Sequence, residues 1–288
     1  MEGLAACVGR TEDGRDTREA PAGLTRRRDV GPDRDIALVA GATERLLTTA
    51  AGLGDDAVAG PSALPGWSVG HVLGHLARNA DSHTRRAEGA ARGELVPQYS
   101  GGPAGRAAEI EAAARRPAAE AVADLQEACE RLARAWAAMP AEAWARSIDS
   151  MGTEMPASEA PVSRLVEVEV HHADLGLDYR PRHWPPVAVA PMLAYVTGRL
   201  VRRAAGVTGP EASWHLHATD GEGEWLVRRT PNGTTVDERH ERADCAVRGP
   251  QSALLAWLLG RGSDHEGRLE LLGDAELARV FPEVYPFS

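Results

Sequence analysis

The sequence predicts an α+β protein in which a helical first part is followed by a smaller part of mixed helices and strands. In the first half, apolar residues recur at helical spacing over several long segments. After about residue 185, short strand-like runs alternate with the turn signals DGEG and PNG. The change from helices to hairpins predicts two folded units, at 34–184 and 185–288, behind an N-terminal extension at 1–33.

The N-terminal extension differs in composition from the rest of the chain. Residues 1–33 mix charge, glycine and proline without an apolar period. Such a segment cannot bury enough surface to offset the entropy of ordering its backbone. We therefore expect residues 1–33 to be disordered.

The first folded unit is expected to begin with a series of helices. One covers 35–53, where two glycines end the apolar period. A second covers 68–91, with Ser68 as a suitable N-cap before a stripe at i, i+3, i+4 and i+7. After a glycine-rich link, a helical stretch at 106–115 precedes a third long helix, which starts near a proline and covers 117–136.

The segment RLVEVEVHHADLGLDY at 164–179 fits two structures. Its Val/Glu alternation has the period of a strand, whereas its apolar positions also fit one side of a helix. Both structures place Glu167 and His171 on the same face. In a helix, Asp174 and Asp178 continue that face; in a strand, Glu169 is able to take the place of Glu167.

The second unit is expected to combine helices with strands. Its strand-like runs are WHLHAT, EWLVRRT and ADCAVRG, and its helical runs are APMLAYVTGRLVRRA, SALLAWLLGR and DAELARVF. This mixture gives the second unit its α+β class.

Composition narrows the classes of function. With 32 basic residues against 42 acidic ones the net charge is −10, which argues against a general nucleic-acid binder and favours small-molecule partners. No apolar run approaches the roughly 18 residues that a membrane helix needs. The three cysteines are odd in number and widely spaced, and the N-terminus lacks a signal-peptide pattern. We expect a cytoplasmic protein whose chemistry does not depend on its own thiols.

Histidines and carboxylates suggest a metal site between two helices. Glu167 and His171 are spaced i,i+4, which puts a carboxylate and an imidazole side by side on a helix. One histidine from the helix at 68–91 completes a set of two histidines and one carboxylate, the usual catalytic zinc arrangement with an open fourth position. Spacing alone does not choose between His71 and His75.

Three segments resemble the mycothiol-dependent maleylpyruvate isomerase family. They are LPGWSVGHVLGHLARNADSHTRR at 64–86, YSGGPAGRAAEIE at 99–111 and EVEVHHADLGLDY at 167–179. The resemblance extends over about residues 35–288. It implies a DinB-like four-helix bundle with a metal site, followed by a smaller α+β domain that resembles sterol-carrier folds.

The resemblance also implies site residues. Zinc would be held by His75, Glu167 and His171. The pocket around it would be lined by the catalytic residues Arg106, Asp174 and Arg261.

The chemistry implied by the resemblance begins with a cosubstrate thiol. Zinc lowers the pKa of the mycothiol thiol, and the thiolate attacks an electrophile. In the isomerase, addition to the cis double bond of maleylpyruvate, rotation and elimination give fumarylpyruvate, with Arg106 and Arg261 each gripping a carboxylate. The same thiolate also suits a mycothiol S-transferase that conjugates an electrophile or exchanges a thiol group on a specialised metabolite such as an antibiotic intermediate. A binding protein that has lost catalysis is a third alternative.

Overall fold

The computed structural model describes residues 32–204, 207–261 and 267–286. The predicted extension at 1–33 lies outside the described residues, apart from Pro32 and Asp33 at the start of the first helix. Within the described part, the α+β class is confirmed, with helices in the first half and a mixed sheet in the second.

The first half is built mainly from helices. They are α1 (Asp33–Ala51), α2 (Asp55–Ala59), α3 (Val69–Arg92), α4 (Gly102–Ala114), α5 (Ala118–Ala137) and α6 (Ala160–Asp174). A short antiparallel hairpin, β1 (Ser147–Ser150) and β2 (Thr153–Pro156), separates α5 from α6.

Four long helices pack around one apolar core. α3 contacts α5 and α6, and α1 contacts the same two helices from the other side. Fully buried side chains such as Leu46, Leu73, Leu125 and Leu165 fill the space between them. The i, i+3, i+4 stripe of each helix explains this arrangement, since it gives each helix one apolar face to bury.

The start of α3 confirms the predicted cap and gives His71 a structural place. The Ser68 hydroxyl accepts from the His71 backbone N–H, and the His71 ring accepts from the Ser68 backbone N–H. This reciprocal pair satisfies donors that the first turn of a helix leaves without partners. The imidazole of His71 is therefore part of the helix cap.

The ambiguous segment is the helix α6, so the strand interpretation is wrong. The Val/Glu alternation misled because Glu169 is itself completely buried, with its carboxylate held by Arg45 and Tyr179. Because Glu169 is polar but buried, the sequence alternates between polar and apolar residues here, as an amphipathic strand would. The helix also ends at Asp174, so Asp178 lies beyond it and is exposed rather than continuing its face.

The second half carries a five-stranded sheet with helices on one side. Its elements are α7 (Pro186–Thr197), α8 (Leu200–Arg203), β3 (Ala212–Ala218), β4 (Glu224–Thr230), β5 (Gly233–Asp237), β6 (Cys245–Gly249), α9 (Gln251–Leu258), β7 (Glu270–Gly273) and α10 (Ala275–Val284). The strand order is β5-β4-β3-β6-β7, with β3 and β6 parallel and the other pairs antiparallel. The edge strand β7 was missed because ELLG is short and its side chains are exposed.

Aromatic packing holds the helices to this sheet. Trp214 on β3 contacts the rings of Phe281 and Tyr285 at α10. Phe281 in turn stacks on Trp257 of α9, with ring centroids 4.7 Å apart. Helix α7 contacts both α6 and α9, which joins the two halves of the chain.

No helix among the described residues is long and apolar enough to cross a membrane.

Candidate metal centre

His75, Glu167 and His171 come together where α3 faces α6. The nitrogen His75 Nε2 lies 2.9 Å from Glu167 Oε2, and His171 Nε2 lies 3.5 Å from the same oxygen. One ligand atom from each residue lies within 4.8 Å of the other two. These are the donor types and separations from which a divalent metal site is built.

Helical geometry accounts for this grouping. Glu167 and His171 are one turn apart on α6, so their side chains project from the same stripe. His75 lies on the buried side of α3, and its ring meets that of His171 edge to face at a centroid distance of 4.5 Å. His75 is 3% exposed, whereas Glu167 and His171 keep 24% and 12% of their side chains exposed. The centre therefore has one accessible side, through which a ligand can reach it.

The protonation states suit metal coordination. Burial lowers the pKa of His75 to about 4, so its imidazole is neutral at pH 7. Burial opposes the charge of Glu167, but hydrogen bonds from His171 and His75 outweigh it and hold the pKa of this carboxyl well below its usual range. The centre thus offers a neutral imidazole and an ionised carboxylate.

Asp174 orients the second imidazole. The ring nitrogen His171 Nδ1 donates to Asp174 Oδ2 over 2.9 Å, which fixes the ring with Nε2 facing Glu167. Burial disfavours a charged His171, but the bonds to Asp174 and Glu167 outweigh it and raise the pKa of His171. A carboxylate behind a ligand histidine is the usual support of a metal site, because it fixes both tautomer and ring orientation.

Arg261 supports Asp174 from the second half of the chain. Its Nε and Nη2 donate to the two oxygens of Asp174 over 2.9 and 2.7 Å, and its Nη1 donates to the carbonyl of Leu259. Burial opposes ionisation of Asp174, yet His171 and Arg261 keep its pKa below the usual value. The chain Arg261–Asp174–His171 therefore links the end of α9 to the centre. In this arrangement Arg261 grips a protein carboxylate, whereas the sequence prediction had it grip a substrate.

Arg106 approaches the centre from α4. Its Nη2 donates to His75 Nδ1 over 3.2 Å, and its guanidinium lies 5.7 Å from the centroid of the Tyr99 ring. Contact with both a ligand-type imidazole and an aromatic ring places this cation at the edge of the centre. The structure thus brings Arg106, Asp174 and Arg261 to the same region as His75, Glu167 and His171.

Arg86 is a functional candidate that sequence reasoning missed. It is 2% exposed, and its Nη1 donates to the carbonyl of Asp149. Burial lowers the pKa of Arg86 to about 10, while Tyr99 and Glu167 are near enough for their charges to oppose that shift. Its Nε also donates to the carbonyl of Ser82, so among the described residues backbone carbonyls, not carboxylates, hold this buried guanidinium. Its position eleven residues after His75, three helical turns along α3, was the available signal.

Other polar candidates of the sequence lie outside the centre. His71 caps α3 and also contacts Glu111. Glu169 pairs with Arg45, and His172 stacks on Tyr179 and bonds to Thr49, so neither residue faces the centre.

Close approach of α3 and α4 sets the position of Arg106. A Cβ added at Gly74 would lie 2.6 Å from the Cβ of Ala113, which is closer than carbon atoms approach in folded proteins. A Gly74→Ala substitution is expected to push α4 away, to lower stability by about 1–3 kcal/mol and to weaken the Arg106–His75 contact. Gly41→Ala on α1 is the matched control: its Cβ would meet only Arg45 Nη1 at 3.6 Å, so helix propensity should raise stability by up to about 1 kcal/mol. Urea unfolding of both variants measures the difference, and equal midpoints would contradict the close packing.

A cavity lies behind the centre, on the side of Asp174 and Arg261. It has a volume of about 540 Å³, and its lining includes Asp174, Arg180, Arg261 and the loop 61–65. The cavity therefore adjoins Asp174 and Arg261, which support His171 from behind, and its lining does not include His75, Glu167 or His171. Another cavity, of about 700 Å³, lies between α1 and α5. Its lining is mainly apolar and contains none of His75, Glu167 and His171.

Two family models match the chain. The mycothiol maleylpyruvate isomerase N-terminal domain matches residues 39–176, and the MDMPI C-terminal domain matches residues 183–279. Together the two matches cover most of the sequence.

Among solved structures, the crystal structure of the mycothiol-dependent maleylpyruvate isomerase is similar to this chain. The identity is 22%, the TM-score is 0.68, and the match covers 84% of this chain and 93% of that one. A histidine-to-alanine mutant of that isomerase matches with the same values. At this identity the likeness shows a shared fold. A search of the curated proteins finds no match.

Proposed function

The chain belongs to the mycothiol maleylpyruvate isomerase family, and on that premise we propose that it is a zinc-dependent enzyme that activates the thiol of mycothiol. The observation that carries this proposal is the convergence of His75, Glu167 and His171 on one partly accessible centre. Two imidazoles and one carboxylate suit zinc and leave a fourth position for an exogenous sulfur. When bound, zinc supplies positive charge that favours the thiolate form of a coordinated thiol.

The residues present fit such an ion. His75 is neutral and Glu167 is ionised, and Asp174 holds His171 with Nε2 toward the centre. If His75 held an ion through Nε2, its ring proton would lie on Nδ1, which would then not accept from Arg106. The Arg106 guanidinium would be available to a substrate carboxylate.

The most specific form of the proposal is cis–trans isomerisation of maleylpyruvate to fumarylpyruvate. Addition of the thiolate to the double bond places negative charge on the conjugated carbonyl, the new single bond rotates, and elimination returns the thiolate. Arg106 contacts His75 at this centre and supplies a cation for one carboxylate of a dianionic substrate. Arg261 acts indirectly: it positions Asp174, which in turn positions His171.

A mycothiol S-transferase is the second candidate, and the pairing of Arg261 favours it. An isomerase that bound its substrate through Arg261 would need the guanidinium of Arg261 to be available. In this structure the Nε and Nη2 atoms of that guanidinium are bonded to Asp174. On this alternative the thiolate stays attached to the product.

The finer description of the fold is part of the same proposal. The closed set of contacts among α1, α3, α5 and α6 supports a DinB-like four-helix bundle over 34–184. We assign 185–288 to a sterol-carrier-like α+β domain and the whole protein to the cytoplasm.

The experiment that tests the function is a product analysis. Purified protein with equimolar zinc and mycothiol is mixed with maleylpyruvate and followed by ultraviolet absorbance and mass spectrometry. Conversion without mass change and with mycothiol recovered supports the isomerase. A product whose mass is that of the substrate plus mycothiol supports the transferase. Protein that binds neither zinc nor thiol would overturn both.

Arg106→Ala is expected to weaken the binding of acidic substrates more than the binding of neutral ones. Loss of a charge-assisted hydrogen bond costs about 1.5–3 kcal/mol, so KM for a carboxylate substrate should rise about 10–100-fold, with a much smaller change for a neutral electrophile. Steady-state kinetics with one substrate of each kind measure this. Arg134→Ala on α5 is the control, since that side chain is 68% exposed and remote from the centre. Equal losses on both substrates would remove the anchoring role.

A further inference from the structure

A second group of metal-ligand side chains lies on the sheet of the C-terminal half. It consists of His215, His217, Glu224 and His240, and one ligand atom from each lies within 4.8 Å of the other three. All four belong to the sheet or its connections, whereas the centre described above lies between α3 and α6. None of these four residues lies in the three motifs that carry the family resemblance, at 64–86, 99–111 and 167–179.

The fold brings these four residues together for simple geometric reasons. His215 and His217 are two residues apart on β3, so they share a face of the sheet. Trp214 contacts α10 on the other face, which puts the histidines on the side away from the helices. Register places Glu224 of β4 directly opposite His217. His240 comes from the connection between β5 and β6 and folds back over the same face.

The hydrogen bonding of this group is overcrowded. Nitrogens of His215, His217 and His240 lie 2.9, 2.9 and 2.5 Å from the same oxygen, Glu224 Oε1. One carboxylate oxygen offers about two lone-pair positions, so three imidazole N–H groups compete for it. A cation accepts lone pairs from all four groups at once and removes this competition. The convergence is better matched to a shared ion than to a shared proton acceptor.

The donor set indicates which ion. Three imidazole nitrogens and one carboxylate oxygen are borderline ligands that suit Zn²⁺ and its neighbours in the first transition row, whereas Mg²⁺ and Ca²⁺ prefer oxygen. Four protein ligands also fill a tetrahedron, which is typical of a closed structural zinc site. We propose that His215, His217, Glu224 and His240 bind a zinc ion that fastens the connection carrying His240 to the sheet.

The surroundings allow an ion to enter and be retained. His215 is buried, His217 and Glu224 keep 31% and 30% of their side chains exposed, and His240 keeps 78%. A cavity of about 610 Å³ adjoins the group and is lined by His215 and His240 together with Asp244 and other residues. Closure of His240 over the other three ligands therefore completes the site from its solvent side.

Zinc stoichiometry tests this proposal with the full chain. Each variant is loaded with zinc alone, dialysed and analysed by plasma mass spectrometry. We expect about two ions per chain for the unsubstituted protein and about one each for His75→Ala and His217→Ala. The double variant should retain none. His183→Ala, an exposed histidine outside both groups, should keep two.

His240→Ala keeps the test decisive if His217→Ala fails to fold. Because the His240 side chain is mostly exposed, its removal leaves the core intact and should still lower zinc affinity at the second site by 10-fold or more. Cobalt substitution gives an independent readout, since tetrahedral coordination has strong visible absorbance that His240→Ala should reduce in a His75→Ala background. Unchanged zinc content and cobalt spectrum in both His217→Ala and His240→Ala would overturn the proposal. Loss of all zinc in His75→Ala would also overturn it, while leaving the proposed function standing. A protein that keeps one ion in His75→Ala and none in His217→Ala would support the second site and contradict the first.

Discussion

His75→Ala is expected to remove bound metal from the α3–α6 centre and lower activity by more than about 100-fold, since removing even a supporting residue behind a ligand costs about 10–100-fold. His75 Nε2 lies 2.9 Å from Glu167 Oε2, so its ring is one of the donors that define the centre. Without it, Glu167 and His171 remain as a two-ligand remnant that holds zinc weakly. Zinc content after dialysis and initial rates with mycothiol are the two measurements.

His71→Ala is the matched control for that substitution. Both histidines lie on α3, one turn apart, but His71 serves the helix cap. Its loss should cost about 1 kcal/mol of stability, the usual value of a cap interaction, and leave metal content and activity close to those of the unsubstituted protein. If His71→Ala strips the metal and His75→Ala does not, the ligand assignment is misplaced.

Local periodicity was sufficient to predict most elements of the fold. The stripe after Ser68 predicted α3 closely, because an N-cap and an amphipathic face act within a few residues of each other. The same logic failed for 164–179, where a buried Glu169 gave a helix the pattern of a strand. Periodicity reports which side chains are polar, and it does not report which polar side chains find a partner inside the protein.

The candidate site was predictable only in part for a related reason. The i,i+4 spacing of Glu167 and His171 is local, so the sequence indicated their shared face. The choice of His75 over His71 depended on family resemblance, and the structure supplies a physical difference in the cap that occupies His71. The pairing of Arg261 with Asp174 joins residues 87 positions apart, a contact that no local pattern encodes.

The sequence contains one local indication of the second histidine group. His215 and His217 alternate on a strand-like run, which places both on one face whenever that run is a strand. What the sequence does not reveal is the register that sets Glu224 opposite His217, or the return of His240 across the sheet. Register depends on pairing between strands and on the connection between them, both of which are properties of the folded chain.

Trp214→Ala is expected to give the largest loss of stability among single substitutions in the C-terminal half, about 3–5 kcal/mol for a fully buried aromatic. The ring is completely buried against Phe281 and Tyr285, and its Nε1 donates to the carbonyl of Leu277 over 2.8 Å. Truncation therefore opens a cavity and leaves that carbonyl without its partner. Urea unfolding followed by circular dichroism measures the shift in midpoint.

The same substitution should reach the metal centre through a chain of contacts. Trp214 meets Phe281, Phe281 stacks on Trp257 of α9, and Arg261 follows the end of α9 to bind Asp174. Loosening α9 is expected to reduce the constraint on His171 and lower zinc affinity at the centre at temperatures where the chain is still folded. Trp144→Ala is the control, since that indole is only half-buried and lies outside this chain of contacts. A destabilised Trp214→Ala protein with unchanged zinc affinity would show that Asp174 alone, without Arg261 held from α9, suffices to orient His171.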